Sequence, residues 1–212
     1  MLKLGLTGGI ASGKSVVGEM FRKLGAHLTD ADAVAHTLMQ PGRPVYEEVV
    51  RHFGLEILNP DGSINRPRLA EAAFGGPGGA PPRVRELNEI VHPAVIAQEN
   101  EWIKEIGRRD PNAIAIVEAA LILEAGATTR FDCLIVVTCH PEQRILRYAR
   151  RLGISEDAAR AEVTRRMAAQ IPDEEKIKAA DFVIDNSGSI EATEQQVQRV
   201  FAALRVGSKK LL

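Results

Sequence analysis

The chain has 212 residues, 45% of them hydrophobic and 26% charged, with a formal net charge of −1. That length suits one well-filled α/β core with small appended subdomains. A near-neutral balance supplies no global field for nucleic acid or an anionic membrane, and no apolar run approaches the ~18 residues of a membrane span.

Residues 2–7 are a short apolar run that stops at Gly8-Gly9, which predicts a first strand. No charged-then-apolar-then-small leader architecture precedes it. Gly8-Gly9-Ile10-Ala11-Ser12-Gly13-Lys14-Ser15 then fits G-x-x-x-x-G-K-[ST] without a mismatch. Glycines let a backbone close around phosphate oxygens, and loop N–H groups and the positive end of a following helix face those oxygens. Lys14 brings an ammonium to the β and γ phosphates, and Ser15 offers a hydroxyl to Mg²⁺. A glycine turn that merely joins strand to helix is the plainer alternative. The strand before the motif and the helix after it favour the phosphate cradle, and hence ATP-type chemistry with magnesium.

Val16, Val17, Met20, Phe21 and Leu24 recur at helical spacing, with Gly25 as the stop. Residues 26–29 form a second, weakly apolar strand candidate that ends at Asp30-Ala31-Asp32. In an open parallel sheet, ligands gather beyond the carboxyl ends of the strands, so this pair is placed to meet an acceptor hydroxyl. A carboxylate there can orient the hydroxyl and take its proton. Asp30 also fits a helix cap, whereas Asp32 fits the base.

Residues 33–110 hold helical patterns, such as Val45, Val49, Val50 and Phe53, and no convincing strand. They read as a helical insert with an exposed Gly/Pro-rich loop at 75–82. His92-Pro93 predicts a helix start, because proline suits a first turn. The uninterrupted runs 114–117 and 134–137 read as strands covered on both faces, the habit of a parallel sheet. Glu118 ends the first of them. It and Glu124 are both candidates for the metal, the plain alternative being solvated carboxylates. Cys133 and Cys139 lie in or beside the second run and read as small core side chains in a reducing, cytoplasmic setting.

Residues 141–180 are helical and rich in arginine. Arg144, Arg147 and Arg151 fall at i, i+3 and i+7 on one face, where an anion would relieve their repulsion. Guanidinium forks suit a polyphosphate, so this stretch reads as a clamp and a closing lid, against a plain solvated face. A last strand at 182–184 precedes a helix at 190–204. Strands alternating with helices make the whole an α/β chain.

Leu6-Thr7-Gly8-Gly9-Ile10-Ala11-Ser12-Gly13-Lys14-Ser15, Asp30-Ala31-Asp32, Pro41-Gly42, His92-Pro93, Leu121-Ile122-Leu123-Glu124 and Ile184-Asp185-Asn186-Ser187-Gly188 together resemble the dephospho-CoA kinases over about residues 1–204. The resemblance implies a three-layer P-loop NTPase-type parallel sheet, with a nucleotide-binding core at 1–32, 111–140 and 181–205. It implies a helical substrate (CoA) domain at 33–110 and a lid at 141–180. The implied reaction passes the γ-phosphate of ATP to the 3′-hydroxyl of the dephospho-CoA ribose, with Mg²⁺. Asp32 becomes the base, with Lys14 and Arg147, the lid arginine, at the transferring phosphate. Gly8, Gly9, Ala11, Ser12, Gly13, Lys14, Ser15 and Val16 become the ATP-phosphate site, Ser15 the metal ligand and Asn186 a neighbour of the adenine.

Three positions depart from the family pattern. Ala11 stands where glycine is usual, Val16 where threonine is common and Ala120 where proline is usual. A methyl at 11 is expected to require a negative φ there. The expected partner is dephospho-CoA alone, bound by a monomer or weak homo-oligomer. A kinase for another acceptor, such as a nucleoside monophosphate, remains open at this level, since Arg43, Arg51, Arg66 and Arg68 in the insert could hold a second phosphate. A guanine-nucleotide switch lacks its N-K-x-D motif.

Overall fold

The computed structural model describes residues 1–75 and 82–207. The predicted 75–82 loop therefore lies, at 76–81, outside the described residues. The chain divides into two compact units, Met1–Asp30 with Glu105–Leu212, and Ala31–Lys104.

The first unit is built on five parallel strands: β1 (Leu2–Gly8), β2 (His27–Asp30), β3 (Ile114–Glu118), β4 (Cys133–Thr138) and β5 (Phe182–Asp185), in the order β2-β3-β1-β4-β5. Leu4, Leu6, Ile116, Ile135, Val137 and Ile184 are fully buried, as expected of a parallel sheet covered on both faces. On one face they join Val17, Met20 and Phe21 of α1 (Lys14–Lys23) and Val197, Phe201 and Leu204 of α9 (Ile190–Val206). The Phe21 and Phe201 rings lie 6.5 Å apart and tilted by 49°. On the other face Leu134 and Val136 pack with Ile122, Ala127 and Phe131. The closeness of that layer explains Gly5, where a Cβ would come within 2.9 Å of Phe131 Cδ2.

Three further helices follow the fourth strand: α6 (Pro141–Leu152), α7 (Glu156–Ala168) and α8 (Asp173–Ala179). Ile145, Tyr148 and Ala149 of α6 pack on Ala159 and Val163 of α7, together with Ile10. Gly153, at φ 64, ends α6, and the Ser155 hydroxyl accepts from Ala158 N to start α7.

The second unit is helical: α2 (Ala31–Leu38), α3 (Pro44–Phe53), α4 (Arg66–Phe74) and most of α5 (Val84–Arg109). Val45, Val49, Phe53, Ile57, Leu69, Ala73, Val91 and Val95 form its core. The expected helix start at His92-Pro93 is wrong, because Pro93 lies inside the continuous 26-residue α5. An interior proline forfeits one backbone hydrogen bond and costs about 3 kcal/mol. Leu87, Ile90 and Val91 before it and Ala94 and Val95 after it all reach the same core, and that burial outweighs the loss.

Candidate active site

The carboxyl ends of the strands converge because β1 sits between β3 and β4 in register, with Leu6 beside Glu118 and Gly8 beside Val137. The loop 8–15 leaves β1 at that edge and enters α1. Its N-cap, Gly13, has φ 94 and no side-chain cap, and no acidic residue occupies the first turn of α1. The first N–H groups and the positive helix end are thus left for an anion.

Ala11 has φ 53, and it is the one non-glycine residue with positive φ among the described residues. The expected negative φ is therefore corrected. The loop takes its left-handed step at 11 with alanine in place, at a strain of about 1–2 kcal/mol. The loop conformation is over-determined by its neighbours, which hold it despite the Cβ.

Those neighbours are specific. Asn186 is 3% exposed, and its Nδ2 donates to Ser12 O at 2.8 Å while its Oδ1 accepts from Thr193 Oγ1 at 3.0 Å. Any Cβ at Gly13 would overlap that amide. Arg147 Nη2 donates to Asn186 O at 2.9 Å, and its Nη1 reaches Ser12 O at 3.4 Å and Cys139 Sγ at 3.2 Å. Burial pushes the Cys139 thiol up, against the pull of Arg147 and Arg144, so it sits here as a neutral donor to Gln143 Oε1.

A cavity of about 500 Å³ opens over the loop, lined by Ala11, Gly13, Lys14, Ser15, Val16, Arg147, Arg151, Asn186 and Ile190. Lys14 Nζ donates to Gly8 O at 3.1 Å, across the loop's own mouth. Ser15 Oγ donates to Glu118 Oε1 at 2.7 Å, and Glu118 is 6% exposed. A hydroxyl and a carboxylate held together beside a phosphate cradle are hard oxygen donors of the kind Mg²⁺ takes one or two of, so this pair fits the ion. Glu124, the other candidate, is committed elsewhere: its Oε1 accepts from Ile171 N at 3.1 Å and lies 3.0 Å from buried Lys176 Nζ.

Sequence reasoning placed Arg144 on the clamp face, yet it is 1% exposed and does not line the cavity. Arg151, expected beside Arg147 on the clamp face, does line it, and so does Ile190, which was not among the expected nucleotide-binding residues. An apolar residue exposed directly after a serine cap is the signal for Ile190. Asn186 borders the cavity but spends its amide on the loop. Asp32 is the second residue of α2, exposed, two positions beyond the end of β2 in the helical unit.

A family model described as dephospho-CoA kinase matches residues 2–192. The chain belongs to the dephospho-CoA kinase family. A dephospho-CoA kinase of Syntrophotalea carbinolica is 42% identical over 209 residues, covering 99% of this chain and 95% of that protein. Among solved structures, TT1252 from Thermus thermophilus superposes with a TM-score of 0.76 at 32% identity, over 96% of this chain and 97% of that one. Dephospho-CoA kinase from Campylobacter jejuni superposes at 0.67 and 27% identity, over 97% and 98%. These matches run through both units of this chain rather than the phosphate loop alone. Among the described residues, no helix is long and apolar enough to cross a membrane.

Proposed function

We propose that the chain transfers the γ-phosphoryl group of ATP to the 3′-hydroxyl of the dephospho-CoA ribose, giving coenzyme A and ADP. The observation that carries this reading is the loop 8–15 with its arginine-lined cavity, in a chain matched to dephospho-CoA kinases along nearly its whole length. The acceptor oxygen forms a bond to the γ-phosphorus as the bond to the β,γ-bridging oxygen breaks. The 3′-hydroxyl proton passes to the Asp32 carboxylate and on to solvent. Lys14, Arg147 and Arg151 set positive charge around the transferring group, where it offsets charge that spreads over the equatorial oxygens. Ser15 and Glu118 would hold Mg²⁺, which would supply positive charge to offset that of the phosphates. The helical residues 33–110 act as the CoA domain and 141–180 as the lid, in a cytoplasmic enzyme.

The test is ADP release with Mg-ATP and dephospho-CoA, AMP, adenosine or no acceptor. Release that requires dephospho-CoA, with a product of the mass of coenzyme A, supports the proposal. Release that instead requires AMP or adenosine, or none above the ATP-only rate, refutes it.

A further inference from the structure

Arg144 is a guanidinium buried to 1% exposure, with each of its three nitrogens in a different setting. Nε donates to Cys139 O, just past the end of β4, at 2.8 Å. Nη2 pairs with Asp173 Oδ2 at the start of α8. Nη1 is buried without a hydrogen-bond partner. It stands against Gly9 of the phosphate loop, so closely that a Cβ built there would overlap it and lie 3.4 Å from Asp173 Oδ1. Gly9, unlike Gly8 and Gly13, does not have positive φ. A Cβ at 9 could enter only if the Arg144 guanidinium, held by Cys139 O and Asp173, gave way.

We infer that Arg144 is a positioning residue for phosphoryl transfer, a buried guanidinium that fixes the phosphate loop at Gly9 and ties it to α8 through Asp173. The inference rests on the proposed kinase function. Two other considerations support it. A buried guanidinium with one nitrogen left without a protein partner adds little to stability, and a fold built for stability alone has the simpler choice of an apolar side chain. The partner helix is itself fixed: Lys176, fully buried on α8, pairs with Glu124 beyond β3 at 3.0 Å. Pinned on both sides, α8 gives Arg144 a fixed support from which to hold the loop. The loop is also held by Asn186 and Arg147 at Ser12, whose N–H donates to Gly9 O at 3.2 Å, so the two anchored residues brace one turn.

A misplacement of about 1 Å in a phosphate cradle can cost on the order of 100-fold in rate. Arg144→Gln, which removes the Nη1 contact, is therefore expected to lower kcat by about 10- to 100-fold while KM for dephospho-CoA stays within about threefold. Rates are taken per ATP-binding site counted by calorimetric titration, so a loss of folded protein does not count as a loss of kcat. Arg144→Lys keeps the charge and loses the fork, and is expected to be as impaired as Arg144→Gln. Near wild-type turnover in Arg144→Lys overturns the inference, since charge alone would then suffice.

The decisive measurement is a double-mutant cycle. Gly9→Ala is expected to lower kcat at least about 10-fold in the wild-type background and less than about threefold on Arg144→Gln, where the clash is gone. Effects that multiply independently overturn the contact. Should Arg144→Gln not fold, Asp173→Asn, at a side chain one-third exposed, loosens the same guanidinium and should lower kcat about 3- to 10-fold with KM held; unchanged kcat overturns the coupling to α8. If the wild-type chain turns over no dephospho-CoA, the functional reading has failed. The same cycle read on the Kd for Mg-ATP still decides whether Arg144 acts through Gly9.

Discussion

Replacing Asn186 by alanine tests how the phosphate loop is held. Ser12 O can only accept, so the Asn186 amide must face it with nitrogen, and its oxygen is then correctly placed for the Thr193 hydroxyl. Asn186→Ala removes two buried neutral hydrogen bonds, each worth about 1 kcal/mol net. Thr193 Oγ1 keeps its second acceptor, Ser189 O at 3.2 Å, and Ser12 O keeps only the long contact from Arg147 at 3.4 Å. The expected destabilisation is therefore about 1–3 kcal/mol, with the unserved Ser12 carbonyl setting the upper end. Urea unfolding should show a lower midpoint at unchanged m. If the loss is concentrated in the loop, ATP affinity falls by about 5- to 140-fold, since 1.4 kcal/mol is tenfold. Thr193→Val should cost about 1 kcal/mol, and the double variant less than the sum, because the two share one bond. An Asn186→Ala protein within about 0.5 kcal/mol of wild type, with unchanged ATP Kd, would falsify the view that this amide holds the loop.

Lys14→Ala should leave no measurable ADP release above the uncatalysed rate, as it removes the ammonium at the transferring phosphoryl group; appreciable turnover would remove the loop from the chemistry. Asp32→Asn should lower kcat by about 100-fold, the usual size of a general-base effect, and leave ATP Kd within about twofold. An unchanged kcat would assign the proton to another group. Ala11→Gly relieves a left-handed alanine at φ 53 but sheds a methyl packed on the α6–α7 cluster. The balance should be a gain of about 0.5–1 kcal/mol, read as a Tm rise of about 1–4 °C, and a lower Tm would show that the methyl contact dominates. Glu162 is held at about 2 by a hydrogen bond from Arg165, opposed by burial and reinforced by Arg166. Its folded pKa lies below the unfolded one, so the stabilisation is present above about pH 4.5 and fades as pH falls toward 2. For so exposed an ion pair it should amount to about 1 kcal/mol. The gap between the urea midpoints of wild type and Glu162→Gln should be smaller at pH 3 than at pH 6 and close near pH 2; an equal gap at pH 3 and pH 6 would exclude the linkage.

The sheet was legible because its signals are local. The runs at 2–7, 114–117, 134–137 and 182–184 became β1, β3, β4 and β5 with no end moved by more than one residue, since short apolar runs bounded by glycine or polar residues are the local signal of a strand. The phosphate loop was legible because its chemistry is written in eight consecutive residues. What stayed hidden depends on partners far along the chain. Arg144 read as one of three clamp arginines facing an anion, yet it is buried because Cys139 O and Asp173 meet it there, and Lys176 is buried beside Glu124. Pro93 read as a helix start because the rule for proline is local, while the core that carries α5 through it is not. The sign of φ at Ala11 was misread for the same reason: the strain is borne by contacts from 147 and 186.

The contiguous motif is thus only half of the site. Glu118 closes β3 and meets Ser15; Val137 O of β4 lies where a Cβ on Gly8 would be; Asn186 follows β5 and meets Ser12. Three strands, β3, β4 and β5, thus each deliver a group from the carboxyl end or just past it. The order β2-β3-β1-β4-β5 is what brings them to one edge. Substitutions at 118, 144, 147 and 186 therefore act on the same eight residues and should combine non-additively, although they are far apart in sequence. Val49 and Ile57 lie in the core of the helical unit, in a cluster that contains no loop residue. The effects of substitutions there on stability should add to those of the loop anchors, and departure from that pattern would mean that the loop is coupled to the helical unit.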